Sequence, residues 1–284
     1  MQYKDKIKTT VKRFIFLLLL ITAVVVIREY VIESYRISTS SMANTLNEGD
    51  FVLVNKWEKH PARNAVVLFV SPLLKDTVLS PLFLGRCIGL PGDTIGVTND
   101  GYTINRHFFP LSPNAISRYV INDLISDSFF KTLKRLHIPV RNMKQESGRH
   151  LVSLTPFEEY VIRDELNEAE KQYFIKQQSE EYSLIVPHKN RPYRLDSLSL
   201  TACKEILLRE TDKPLVFREK KLFVEGKETV FFFFNHDYYW ILCDNIKDGV
   251  DSRHLGFIPA EKVLGTAWYC WFSKEKEHLL KAIQ

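Results

Sequence analysis

The sequence lacks the features of a zinc or dithiol redox protein. Its four cysteines, Cys87, Cys203, Cys243 and Cys270, form no CxxC pair and no His/Cys cluster at ligand spacing, which removes the usual basis for a structural zinc site. Cysteines scattered in this way fit small buried hydrophobes. One disulfide stays open to them in an oxidising compartment, and the sequence singles out no pair. A basic face is lacking too. The net charge is +5, but Lys4, Lys6, Lys8, Lys12 and Arg13 against Asp5 gather most of it into the first thirteen residues. The nearly neutral remainder offers nucleic acid no electrostatic footprint. Repeats and low-complexity tracts are absent. Apolar residues make up 45% and charged residues 26%, near globular averages, which excludes wholesale disorder. A chain of 284 residues can bury the core of one large domain.

What the chain does have, at its start, is an apolar run. Phe14 to Ile27 is interrupted only by Thr22, and spanning a bilayer takes about 20 residues. A buried core helix would carry a polar face, and this run has none. A cleaved signal peptide would end in a small-x-small site, whereas Arg28-Glu29-Tyr30 follows. The remaining reading is an uncleaved anchor over 14–32. Arg28 and Glu29 then snorkel at the outer interface, and Tyr30 and Tyr35 stand in the aromatic belt. The basic segment 1–13 stays cytoplasmic by the positive-inside rule. The main domain then lies on the outer, periplasmic side of the inner membrane.

Beyond the anchor, short runs rich in Val, Ile and Phe read as strands: Phe51–Val54, Ala65–Val70, Phe83–Ile88 and Thr94–Val97. A second β block holds Tyr238–Leu242 and Val263–Phe272, with a hairpin signal where Glu225-Gly226 separates Lys221–Val224 from Thr229–Phe233. Between the blocks the character is helical. Thr155-Pro156-Phe157-Glu158 is a capping box with proline at the first helical position. Further helices are expected from Asn167 and over Leu198–Arg209. The expected layout is a β-rich domain over 33–98 and 218–273, a helix-bearing insertion over 99–217, and a tail over 274–284.

Directly after the apolar run comes Tyr35-Arg-Ile-Ser-Thr-Ser-Ser-Met-Ala-Asn-Thr-Leu46, then Gly49-Asp50. Three more segments follow: Gly85-Arg-Cys-Ile-Gly-Leu-Pro-Gly-Asp93, Asp237–Asn245, and Asp251-Ser-Arg-His-Leu-Gly-Phe-Ile-Pro259. A Ser-Met pair or a lone GLPGD turn is weak evidence, but four boxes in order, the first hard against the apolar run, are specific. The chain resembles the type I signal peptidases. Arg63–Phe69 is a weaker match to another box, and Val186-Pro187 fits long-insert members. Ser38 and Asn44 stand where the pattern has prolines.

The resemblance implies a mainly β, two-sheet antiparallel catalytic domain with an inserted α/β subdomain and one N-terminal transmembrane helix. The activity implied is a serine endopeptidase that removes signal peptides from exported preproteins, close to the lipid bilayer and without metal or organic cofactor. Ser41 falls on the nucleophile, and Thr39 with the Ser41 amide on the oxyanion hole. Ile37, Met42, Leu46, Phe83 and Leu84 fall on apolar substrate pockets, and Asp251 with Arg253 on a supporting ion pair. The family's general-base lysine is Gly85 here, and the serine that orients it is Gly249. Arg86 cannot replace the lysine, because guanidinium stays protonated. Lys247, His254 and Lys75 are the candidates for a substitute base. The rival expectation is an inactive, anchored pseudopeptidase that binds signal peptides or pairs with an active relative. The soluble Ser-Lys proteins that cleave repressors are disfavoured by the apolar run and the Met42 box.

Overall fold

The computed structural model describes residues 2–43, 45–72, 81–111, 113, 115–178, 181–245 and 249–283, with side chains from Lys12 onward. Helix α1 spans Gln2–Tyr30, 29 residues, or roughly 43 Å at 1.5 Å per residue. Every described side chain from Lys12 to Glu29 is exposed, so this helix packs its apolar surface on nothing in the chain. Among the described residues no helix is long and apolar enough to cross a membrane; Lys12, Arg13, Arg28 and Glu29 bracket the stretch Phe14–Ile27. The helix stops two residues short of the expected Ile32. Strand β1 (Ile32–Arg36) pairs antiparallel with β2 (Phe51–Asn55), with Ile32 opposite Asn55, and this ladder claims the residues that would continue the helix.

One large antiparallel sheet unites the two β blocks. Its order is β1, β2, Val263–Phe272, β3 (Val66–Val70), β4 (Leu82–Gly89), Tyr238–Leu242 and Ile258–Pro259. The long strand Val263–Phe272 sits between β2 and β3, so the chain ends interleave and the sheet forms only when both blocks are present. Alternation along β3 sends Val66 and Leu68 into one core cluster and Val67 and Phe69 into another, as the period of two requires. Strands buried on both faces read as continuous apolar runs, and Val-Val-Leu-Phe is one.

The insertion contains more strand than expected. Thr94–Val97 leaves the first block to join Tyr182–Ile185, Gly101–Ile104 and His107–Pro110 in a separate sheet. Another sheet, of Phe174–Lys176, Ser117–Asn122, Arg149–Leu154 and Arg141–Glu146, packs under the helices Asp123–Arg135 and Pro156–Glu165 around Tyr119, Phe129, Ile162 and Phe174. The capping boxes at Thr155/Glu158 and Asn167/Glu170 both close reciprocally, and a helix spans Ser197–Glu210. The hairpin turns at Glu225 and Gly226, with φ of 51° and 79°. It pairs Lys221–Val224 with Lys227–Thr229 only. Phe231–Phe233 departs to pair with Pro192–Arg194. All four cysteines are free and buried, each in its own surroundings, so no disulfide forms.

Candidate active site

The segment 37–50 between β1 and β2 is a closed loop. Its neck is tied by Ile37 N–H to Asp50 O at 2.8 Å and Gly49 N–H to Ile37 O at 2.8 Å. Gly49 turns there at φ 96°, a region glycine enters without penalty. Met42 O accepts from Leu46 N–H at 2.8 Å, forming a tight turn directly after Ser41. The Met42 and Leu46 side chains, which the resemblance puts at substrate pockets, are fully enclosed, and Ile37 is nearly so. With Leu84 they fill the core between the loop and the sheet, because an apolar turn closed this tightly must bury its side chains inward. Phe83 turns to the other face and stacks on Phe69 at 5.7 Å.

The loop hangs on Asp244 and Asn245, the second and third residues after the strand Tyr238–Leu242. Asn245 donates its N–H to Ser41 O at 2.9 Å and its side-chain amide to Ser40 O at 3.0 Å. Thr45 Oγ1 donates to Asp244 Oδ2 at 2.5 Å. Asp244 in turn accepts a two-pronged pair from Arg86, at 2.9 and 2.8 Å. Both side chains are almost wholly buried, and Arg86 also donates to Asn64 O at 2.7 Å. This arginine, expected only as a motif residue beside Gly85, is thus the tie that binds β4 to the serine loop.

Ser41 Oγ lies 3.0 Å from Thr39 Oγ1, the two hydroxyls that the motif put together. Behind them the neighbours are unusual. A Cβ on Gly85 would stand 2.6 Å from Ile241 Cγ2, and one on Gly249 would stand 2.4 Å from Cys243 Cβ and 2.5 Å from its Sγ. Neither glycine has a positive φ, so both serve space rather than backbone freedom. Cys243 is buried. Its thiol reaches Leu84 O and Val250 O, each at 3.6 Å, and interacts with the Ser41 side chain. Burial holds that thiol well above its ordinary pKa, so at neutral pH it keeps its proton and accepts none from serine. Sequence reasoning missed Cys243; its place directly before Asp244-Asn245 in a matched box was the available signal.

Asp251 and Arg253 form a real pair at 2.8 Å, with the carboxylate fully buried. Asp251 also accepts from Cys243 N–H at 2.9 Å and caps the short helix Ser252–Leu255, while Ser252 Oγ accepts from Ile241 N–H at 2.9 Å. The pair therefore fixes the strand end that carries Cys243. His254 faces its own helix cap, with Nδ1 3.4 Å from Asp251 N, and is half exposed. Lys75 and Lys247 lie outside the described residues. Among the described residues no lysine or histidine is hydrogen-bonded to Ser41, and no three His, Cys, Asp or Glu side chains cluster as metal ligands.

The chain is similar to several proteins described as signal peptidase I. A signal peptidase I of Buchnera aphidicola subsp. Baizongia pistaciae (strain Bp) is 25% identical across 97% of this chain and 79% of its own length. One of Aquifex aeolicus (strain VF5) is 24% identical across 92% and 84%. One of Pseudomonas fluorescens reaches 33%, over only 27% of this chain and 31% of its own. The family described as "Signal peptidase, peptidase S26" matches residues 7–272. With most of the helix and all of the interleaved sheet and serine loop inside that match, the chain belongs to the signal peptidase family.

Proposed function

We propose that this chain is a membrane-anchored, signal-peptide-recognising member of the family whose serine has no base of its own. The observation that carries this reading is the surroundings of Ser41: a second hydroxyl at 3.0 Å, a buried thiol, and glycine at positions 85 and 249. A serine hydroxyl needs an adjacent base to attack a carbonyl at neutral pH. Arg86 is spent on Asp244 and stays charged in any case. The Thr39 hydroxyl and the Ser41 amide remain as oxyanion donors, and groups of that kind alone sustain only a residual rate, roughly 10³–10⁴ over water. Signal-peptide-bearing preproteins are the ligands of this reading, and an active family member is its natural partner.

The anchoring part of this reading is supported by the surface of α1. Its apolar stretch is exposed all round, which a water-soluble surface does not tolerate at this size. Lysines on its N-terminal side orient it with that end in the cytoplasm, and the β domain then lies on the outer face, against the bilayer.

A second reading keeps the peptidase activity and gives the base to Lys247. It is favoured by one contact: Asn245, two residues before Lys247 in the sequence, holds the Ser41 carbonyl. Cleavage of a preprotein by the detergent-purified chain separates the readings. No cleavage by the native chain, with binding of the same preprotein retained, is the expected result. Cleavage that disappears in Ser41→Ala and in Lys247→Met would replace the first reading with the second.

A further inference from the structure

Cys243 is the residue around which the interior of this serine site is packed. Its side chain lies against Leu84 O and Val250 O, and the space of a Gly249 Cβ is taken by its Cβ and Sγ at 2.4 and 2.5 Å. Its backbone N–H is held by the buried Asp251 carboxylate, which fixes the backbone that carries the thiol. Two residues earlier, Ile241 blocks Gly85, with Cγ2 2.6 Å from the place of its Cβ. We infer that Cys243 is the plug of the site: it fills the volume behind Ser41 that a proton acceptor would need, and residue 249 is glycine because the plug is there.

This inference rests on the reading that Ser41 has no base, and it adds the reason. The volume is not empty but occupied, by a thiol that is buried and neutral. Removing the plug should open a space the size of a small side chain between Ser41, Leu84 and residue 249. A small primary amine from solution, methylamine for instance, could then sit there as an external base. Neutral amine takes the Ser41 proton as Oγ bonds to the scissile carbonyl carbon. The resulting ammonium returns that proton to the leaving amide nitrogen as the C–N bond breaks. In the second half the same amine takes a proton from water as it attacks the acyl ester, and gives it back to Ser41 Oγ.

Two measurements test the plug, and they fail independently. The first is a thermal double-mutant cycle, since neighbours that share a volume do not add. Gly249→Ala should lower Tm by roughly 5 °C with Cys243 present, from overpacking, and should leave Tm nearly unchanged in a Cys243→Gly background. Equal shifts in the two backgrounds would overturn the packing claim. The second is preprotein cleavage by Cys243→Gly with and without methylamine, beside Cys243→Gly/Ser41→Ala. Cleavage that rises with the concentration of neutral amine and requires Ser41 is expected. No amine dependence would overturn the claim that the thiol is what excludes a base. Ser41-dependent cleavage by the native chain would instead defeat the underlying reading, and the cycle would still judge the packing.

Discussion

At the scale of single residues, the buried pair Arg86–Asp244 has the largest expected effect. Both partners are out of water, and deleting one charge of such a pair leaves the other uncompensated, typically at 3–5 kcal/mol. Asp244→Asn should therefore lower the unfolding free energy by about 3 kcal/mol in urea titration, and it should loosen the serine loop, which loses the carboxylate that Thr45 donates to. A change below about 1 kcal/mol would mean the pair is not buried in solution. Residue-level legibility was uneven. Ser41, Thr39, Asp251 and Arg253 stood in ordered boxes, and the structure brings the first two together and pairs the buried Asp251 with the partly buried Arg253. Cys243 was not legible, because a sequence shows which residues have been lost from a pattern but not which neighbour has taken their room. The pocket side chains are hard to read for a related reason: apolar residues beside a serine suit a groove or a core equally.

At the scale of elements, β4 and the strand Tyr238–Leu242 lie side by side, with Leu242 opposite Arg86 and Ile241 opposite Cys87. Their closeness is set by glycine. Restoring Gly85→Lys and Gly249→Ser together should not rebuild a working dyad. It should destabilise by about 1–3 kcal/mol at each position through overpacking, because Ile241 and Cys243 occupy the space of the two new Cβ atoms. Adding Ile241→Ala and Cys243→Gly should recover most of that loss in denaturant unfolding. Failure to recover it would show that the obstruction lies elsewhere. The strands around this site were readable in sequence because two-sided burial makes near-continuous apolar runs. The insertion was readable in its helices after Thr155, after Asn167 and over Ser197–Glu210, and not in its strands. Arg141–Glu146 is exposed along almost its whole length, so its sequence, Arg-Asn-Met-Lys-Gln-Glu, carries no alternation. The helix Asp123–Arg135 does carry a start signal, the Asn122 cap on Leu124 N–H, which went unread among neighbouring strand-like residues.

At the scale of the whole molecule, the four thiols are distributed over the separate cores and titrate against the fold together. Burial raises each of them, Cys270 to about 11, Cys87 to about 12, and Cys203 and Cys243 further. The unfolded chain releases these protons from about pH 9 while the folded one retains them. Stability is therefore fully present below that range and falls as pH rises through it. Tm should hold steady from pH 7 to 8 and decline from about pH 9 to 11, and Cys270→Ala should make the decline shallower. A flat Tm across that window would contradict the burial of these groups. The decline also opposes any gain in rate that an amine base would draw from alkaline conditions.

The junction between α1 and the sheet has a geometric consequence. Only Val31 separates helix from strand, and it is bonded on both sides: its N–H goes to Ile27 O at 2.9 Å, and its carbonyl accepts from Lys56 N–H at 2.8 Å. Lys56 Nζ adds a brace to Glu29 O at 2.7 Å. A joint so tied has no swivel, so the direction in which Ser41 looks is geared to the rotation of the helix about its own axis. Each residue added to that helix turns its far end by about 100° and lifts it by about 1.5 Å. In the anchored arrangement proposed above, one inserted residue would leave the length almost unchanged and point the serine away from the bilayer, so the helix sets a compass bearing as well as a depth.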